Sequence, residues 1–173
     1  MRAPPSTLSQ LPLPQWAYVP GLGDDDADHD TLWQAKVLVP PAFRGYVPAR
    51  HPALRCGLAL NDRGYFWEAK EILETVWAAA PQGGRERILL RACIPIASAN
   101  LRLRMEKPRA AARLFGDARA ELDRRELRKQ TSGGDGFADN FPVAALTDVL
   151  KARETRPSLS KADSVEIGAF GRG

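Results

Sequence analysis

Leu60-Asn61-Asp62-Arg63-Gly64-Tyr65-Phe66-Trp67-Glu68-Ala69-Lys70-Glu71-Ile72-Leu73-Glu74-Thr75-Val76-Trp77 decides the fold. Its first residues, Asn61-Asp62-Arg63-Gly64, have the composition of a tight turn. From Tyr65 onward the apolar residues recur three and four apart. At 100° per residue, Tyr65, Ala69, Ile72, Leu73, Val76 and Ala80 fall in one arc, so the spacing predicts a helix over 65–80 with that arc inward. Pro81, Gly83 and Gly84 close it. The opposite arc carries Trp67, Lys70, Glu71, Glu74 and Trp77. A purely solvated face needs no tryptophans, so this surface calls for a cover: the N-terminal segment, another helix, a second copy or a ligand.

Working outward, Pro52 suits the first turn of a helix over 53–60, with Leu54, Leu58 and Leu60 as its bulk. A long helix over 85–106 carries Pro95 inside, which predicts a kink. Pro108 starts a fourth helix reaching 125 or 129, with Ala110, Ala111, Leu114, Phe115, Ala118 and Leu122 in its stripe. A loop over 131–136 and a last helix over 142–153 follow. A shorter helical segment fits 31–36, and no strand pattern stands out. Nine of the fourteen prolines lie in the first 52 residues. The reading is therefore all-α: an antiparallel bundle of about five helices with an extended, proline-rich N-terminal arm. Residues 1–51 are the expected arm, 52–155 the bundle and 156–173 a flexible tail.

Composition narrows the chemistry. A chain of 173 residues supports one core without disulfides. Two cysteines, Cys56 and Cys93, and two histidines, His29 and His51, supply neither a disulfide framework nor a zinc cage. Cys93 reads as a buried small hydrophobe, His51 as a cap or loop residue, and neither histidine suggests a hydrolytic triad. Residues 24–30, Asp-Asp-Asp-Ala-Asp-His-Asp, lack the central glycine and closing glutamate of a calcium loop, so no metal is assigned there. No cofactor motif occurs, because Gly83-Gly84 lies between helices. No run of about 18 uncharged apolar residues is present, and no secretory apolar region follows Met1, which makes the cytoplasm the default location.

The net charge of +4 is unevenly placed. Residues 101–130 hold ten Arg or Lys against five Asp or Glu. Nucleic-acid binding there requires Arg102, Arg104, Arg109, Arg113, Arg124, Arg125 and Arg128 to form one stripe. Helical geometry scatters them, which disfavours that reading. On the central helix, Lys70 reaches Glu74 or Glu71 as an ion pair. Glu68, Glu71 and Glu74 stand at three-residue spacing, so their carboxylates converge or are clamped by Arg85, Arg87 and Arg91 of the next helix.

The same stretch resembles the signature of a family of small prokaryotic helical proteins, domain of unknown function 309. Asn61, Gly64, Tyr65, Phe66, Glu68, Ala69, Glu71, Glu74 and Trp77 carry the resemblance, which extends over residues 50–125. Lys70 stands where the family pattern has histidine, and Arg91 and Pro95 replace its usual glutamines. The resemblance implies a helical fold and no established activity. A lysine in place of the histidine argues against a metal on this face.

Two functions then compete. One is a structural or protein-interaction module, self-associating as a homodimer, whose polar face of Trp67, Glu68, Lys70, Glu71, Glu74 and Trp77 is covered. The other is an enzyme or small-ligand module using Lys70, Glu71 and Glu74, with Lys70, Arg87 and Arg91 as donors to an anion.

Overall fold

The turn and the helix after it form as their periodicity dictates. In the computed structural model, which describes residues 11–23, 25–128 and 134–168, the central helix runs Phe66–Ala79 and buries Ala69, Ile72, Leu73 and Val76. Among the described residues there are seven α-helices: α1 His29–Lys36, α2 Pro52–Asp62, α3 Phe66–Ala79, α4 Arg85–Arg104, α5 Pro108–Leu122, α6 Arg125–Arg128 and α7 Val143–Glu154. A 3-10 turn, Lys161–Asp163, follows. Among the described residues no strand forms; an isolated antiparallel bridge joins Pro48 to Gly136.

Local chemistry explains the boundaries. His51 caps α2, its Nδ1 accepting the Ala53 N–H at 3.2 Å, and Pro52 sits in the first turn where no intrahelical donor is needed. Asn61 and Asp62, expected in the turn, instead extend α2. The reversal needs only Arg63 to Tyr65, because Gly64 takes φ +91°. A Cβ there would lie 2.8 Å from the Arg104 guanidinium, which donates to the Gly64 carbonyl and stacks 4.6 Å over the Phe66 ring. α4 runs through Pro95, held by buried Cys93, Ile96 and Ala97 on its inner side. The fourth expected helix stops at Leu122, and α6 is a separate turn beyond Asp123 and Arg124.

Helices joined by connections this short must reverse direction. α4 is the hub: it packs most heavily on α5 and also on α3, while α2 packs on α3 and α7 on α5. At the α2–α3 crossing Gly57 lets the helices approach, since a Cβ there would meet Leu73 Cδ2 at 3.0 Å.

The core takes in more of the chain than the helix pattern predicts. Leu32 and Ala35 of α1 and Val47 join the same buried cluster as α2–α5 and α7. The C-terminal segment adds to that core too. Leu159, Val165 and Ile167 are buried in that cluster, because polar groups inside the fold bind the backbone around them. Asn100 (1% exposed) donates to the Val165 carbonyl at 2.9 Å and accepts the Val165 N–H at 2.8 Å. Asn61 donates to the same carbonyl at 3.0 Å, and Asp62 accepts the Ile167 N–H at 2.6 Å. Residues 1–10 of the expected arm, 131–133 of the loop and 169–173 of the tail lie outside the described residues.

Candidate functional site

The outer surface of α3 divides in two. Its first turn is covered by the N-terminal segment. The Tyr18 ring meets Trp67 edge-on at 5.0 Å between centroids, and His29 does so at 6.0 Å. The Tyr18 N–H donates to Glu68 Oε2 at 2.8 Å. Glu68 is fully buried, and its Oε1 has no hydrogen-bond partner. Burial pushes this carboxyl above the usual glutamate range, opposed by the Tyr18 N–H and the Arg104 charge. Glu68 therefore does not join a carboxylate row with Glu71 and Glu74. Its position one turn from Ile72 puts it on the inward edge of the helix, under the chain at Tyr18.

The Asp cluster explains how that segment is held. Asp28 caps α1: it accepts the Thr31 hydroxyl at 2.6 Å, the Thr31 N–H at 3.3 Å and the Gln15 N–H at 3.1 Å. Chiefly the Thr31 hydroxyl, with the Gln15 N–H, holds this carboxyl below its ordinary range. Asp25, Asp26 and Asp30 are exposed, and Asp24 lies outside the described residues. Among the described residues no group of three or more His, Cys, Asp or Glu is arranged to hold a metal ion.

The middle of α3 carries a small ion-pair network. Lys70 Nζ lies 3.6 Å from Glu71 and 3.9 Å from Glu74, and Lys36 of α1 lies 3.3 Å from the other Glu71 oxygen. These side chains are about a quarter to a half exposed, so each pair contributes about 0–1 kcal/mol. Lys36 was not foreseen, because nothing in its own neighbourhood announces a partner 35 residues away.

The arginines do not clamp these carboxylates. Arg85 turns to Asp139 at 3.4 Å and to the Glu126 carbonyl at 3.0 Å. Arg87 donates to the carbonyls of Trp77 (3.1 Å) and Ala80 (3.0 Å), satisfying the open end of α3. Its guanidinium lies 4.2 Å over the Trp77 ring, with that of Arg91 at 5.8 Å. The physical reason is register: the first turns of α4 follow the 80–84 link and meet the C-terminal end of α3, beyond Glu71. Trp77 Nε1 is buried and has no acceptor. Trp77 and Arg91 separate two recesses. One, of about 470 Å³, is lined by Glu74, Ala78, Ile94 and Pro95 with them. The other, of about 250 Å³, adds Gly83, Gly84, Arg87 and Arg124.

No activated nucleophile accompanies this surface among the described residues. Cys93 is fully buried and its thiol is pushed far up by desolvation; burial raises Cys56 to about 11. Burial lowers His51, which is occupied as a helix cap. Three arginines of the basic stretch have local partners. Arg104 serves the α2–α3 turn, Arg119 pairs with Glu154 and with Asp123 at 2.9 Å, and Arg124 lies 3.8 Å from Glu121 and from Glu126. Arg128 has its side chain outside the described residues.

Residues 54–114 match the model of a family described as a domain of unknown function, DUF309. That span contains the α3 surface and the start of α5, and excludes α1, α7 and the C-terminal segment. No curated protein and no solved structure matches the chain.

Proposed function

We propose that this chain is a self-associating interaction module, with the Trp77–Arg91 end of α3 and α4 as its recognition surface. One observation carries the reading: Arg87 and Arg91 both lie against Trp77, and neither has a carboxylate partner in the described structure. Tryptophan and arginine side by side in a recess are the composition of an interface hot spot. The complementary surface is on the same molecule. Asp25, Asp26 and Asp30 are exposed, beside Leu22 at 62% and Trp33 at 66% exposure. An acidic, apolar surface of one copy is matched to the Arg87, Arg91 and Trp77 groups of another, beside Glu74 and Glu126 on the same recesses. The carboxylates that acid–base chemistry would require are engaged: Glu68 by Tyr18, Glu71 by two lysines, Glu74 by Lys70. Lys70 supports the same reading as an ion-pair partner of Glu71 and Glu74.

Light scattering and sedimentation velocity test this. The expected result is a dimer or larger species at low salt that dissociates as salt rises. Arg91→Glu and Asp26→Lys each weaken it, and mixing the two charge-reversed chains restores it. A mass of 19.0 kDa at all concentrations refutes the proposal. A second reading, a small carboxylate or phosphate in the same recess, is favoured by the Arg87 and Arg91 guanidiniums gathered at Trp77. Quenching of tryptophan fluorescence by phosphate in wild type and not in Arg91→Glu distinguishes it.

A further inference from the structure

The C-terminal segment is bound as a ligand is bound. Asn100 makes a two-point contact with the Val165 backbone, accepting its N–H and donating to its carbonyl, and Asn61 adds a second donor to that carbonyl. Asn61 and Asn100 are themselves joined at 2.8 Å. Two residues on, Asp62 takes the Ile167 N–H. Alternate side chains do the rest: Val165 and Ile167 point into the core, at 3% and 0% exposure, while Glu166 between them faces solvent. Backbone groups are read by side chains and branched apolar residues two apart fill pockets, which is how grooves receive extended peptides.

The receptor is separable from its occupant. The three side chains that bond the Val165 and Ile167 backbone come from α2 and α4, whereas α7, the helix to which the segment is covalently joined, bonds it upstream, where Arg153 donates to the Asp163 carbonyl. Residues 155–158, which connect α7 to it, are all exposed and include Pro157. Upstream of the seat, an open recess of about 520 Å³ lies where Leu159 to Ala162 pass Leu103, Glu106 and Pro108. Arg153 and Arg156 bond to Asp163 at the near end of the segment, so the tether itself is anchored upstream of the seat.

We infer that the groove framed by Asn61, Asp62 and Asn100 is a peptide receptor, filled in cis by Val165-Glu166-Ile167 and able to take the same segment from a second copy of the chain. The partner is defined by chemistry: an extended segment with branched apolar residues two positions apart. A second copy carries that segment by construction, and exchange of an identical element between protomers needs no new surface. The receptor is distinct from the Trp77–Arg91 recess. Its occupation rests on buried bonds and apolar pockets, so it is insensitive to salt and to Arg91→Glu.

A fluorescent synthetic peptide spanning residues 159–168 is the probe, titrated into full-length protein. The expected result is binding to the full-length Val165→Asp/Ile167→Asp chain, whose own segment is unseated. Binding to wild type should be weaker by about tenfold or more, because its seat is occupied. Adding Asn100→Ala to that chain, or placing Val165→Asp in the peptide, removes binding. Absence of binding to a double variant that keeps its helical circular dichroism overturns the inference. Should that variant unfold, hydrogen exchange in wild type decides. Val165 and Ile167 amides exchanging about tenfold or more faster than the buried α4 amides support a segment that opens by itself. Exchange at the same rate as those amides means it opens only with the whole fold, and overturns the inference.

Discussion

Asn100→Ala tests the buried network most directly. Asn100, Asn61 and Val165 are 1%, 1% and 3% exposed, so water does not replace what the substitution removes. Three hydrogen bonds are lost: Asn100 to Val165 O, Val165 N–H to Asn100, and Asn100 to Asn61 Oδ1. The Val165 carbonyl keeps its bond from Asn61. Two groups are therefore orphaned, the Val165 N–H and Asn61 Oδ1. At about 1–3 kcal/mol for each buried, unsatisfied group, the loss is about 2–6 kcal/mol. For a chain of this size that lowers Tm by roughly 4–24 °C. Urea unfolding followed by circular dichroism, with calorimetry for Tm, measures it. A reduced m-value with the loss indicates that the C-terminal segment is already released in the native baseline. Asn100→Asp should be no milder: it retains an acceptor for Val165 but has no donor, and it sets a charge near Asp62. A loss under about 1 kcal/mol for Asn100→Ala refutes the reasoning, because it would mean that the segment carries little of the stability.

Glu68→Gln should flatten part of the pH dependence. Burial raises the folded-state pKa of Glu68 from its ordinary 4.5, so the protonated form favours folding. That contribution is full below the ordinary value and is lost as pH rises through the folded one; urea midpoints of wild type should fall relative to Glu68→Gln across that interval. Gly57→Ala sets a helix-propensity gain of about 1 kcal/mol against a Cβ 3.0 Å from Leu73. Leu73 and Ile72 are fully packed, so overpacking of about 1–3 kcal/mol wins and the variant unfolds at lower urea. Arg87→Ala uncaps the end of α3 and uncovers Trp77, with an expected loss of about 1–3 kcal/mol and a red-shifted tryptophan emission. Arg91→Ala, exposed and without a carboxylate partner in the described structure, should leave stability within about 0.5 kcal/mol.

The helices were readable where their periodicity is strong. α3 shows its apolar stripe from Ala69 to Val76, and Pro52, Pro81 and Pro108 mark where neighbouring helices begin or end. Lys70 pairing with Glu71 and Glu74 follows from spacing along one helix and is observed. Less readable was anything set by residues far apart. Glu68 sits at the edge of the apolar arc, and which side it joins depends on Tyr18, fifty positions earlier. Arg87 and Arg91 were marked as donors, yet their target is Trp77 and the end of α3, because the 80–84 link sets how far α4 slides along α3. Asn100 offered one usable signal: an amide in an apolar stretch needs partners.

Local interactions are written in nearest neighbours, and so the sequence alone determined the all-α class, the helix starts and the ion pairs within α3. Which segments complete the core was settled only in three dimensions. Residues 11–51 and 157–168 have no long periodic stripe, and they read as an extended, proline-rich arm and a flexible tail. Yet Val47, Val165 and Ile167 are buried, held by backbone groups that find their acceptors and donors on α2, α4 and the 135–137 turn. Burial of a non-helical segment depends on whether distant side chains can satisfy its backbone, and that information lies in Asn61, Asp62 and Asn100 rather than in the segment itself.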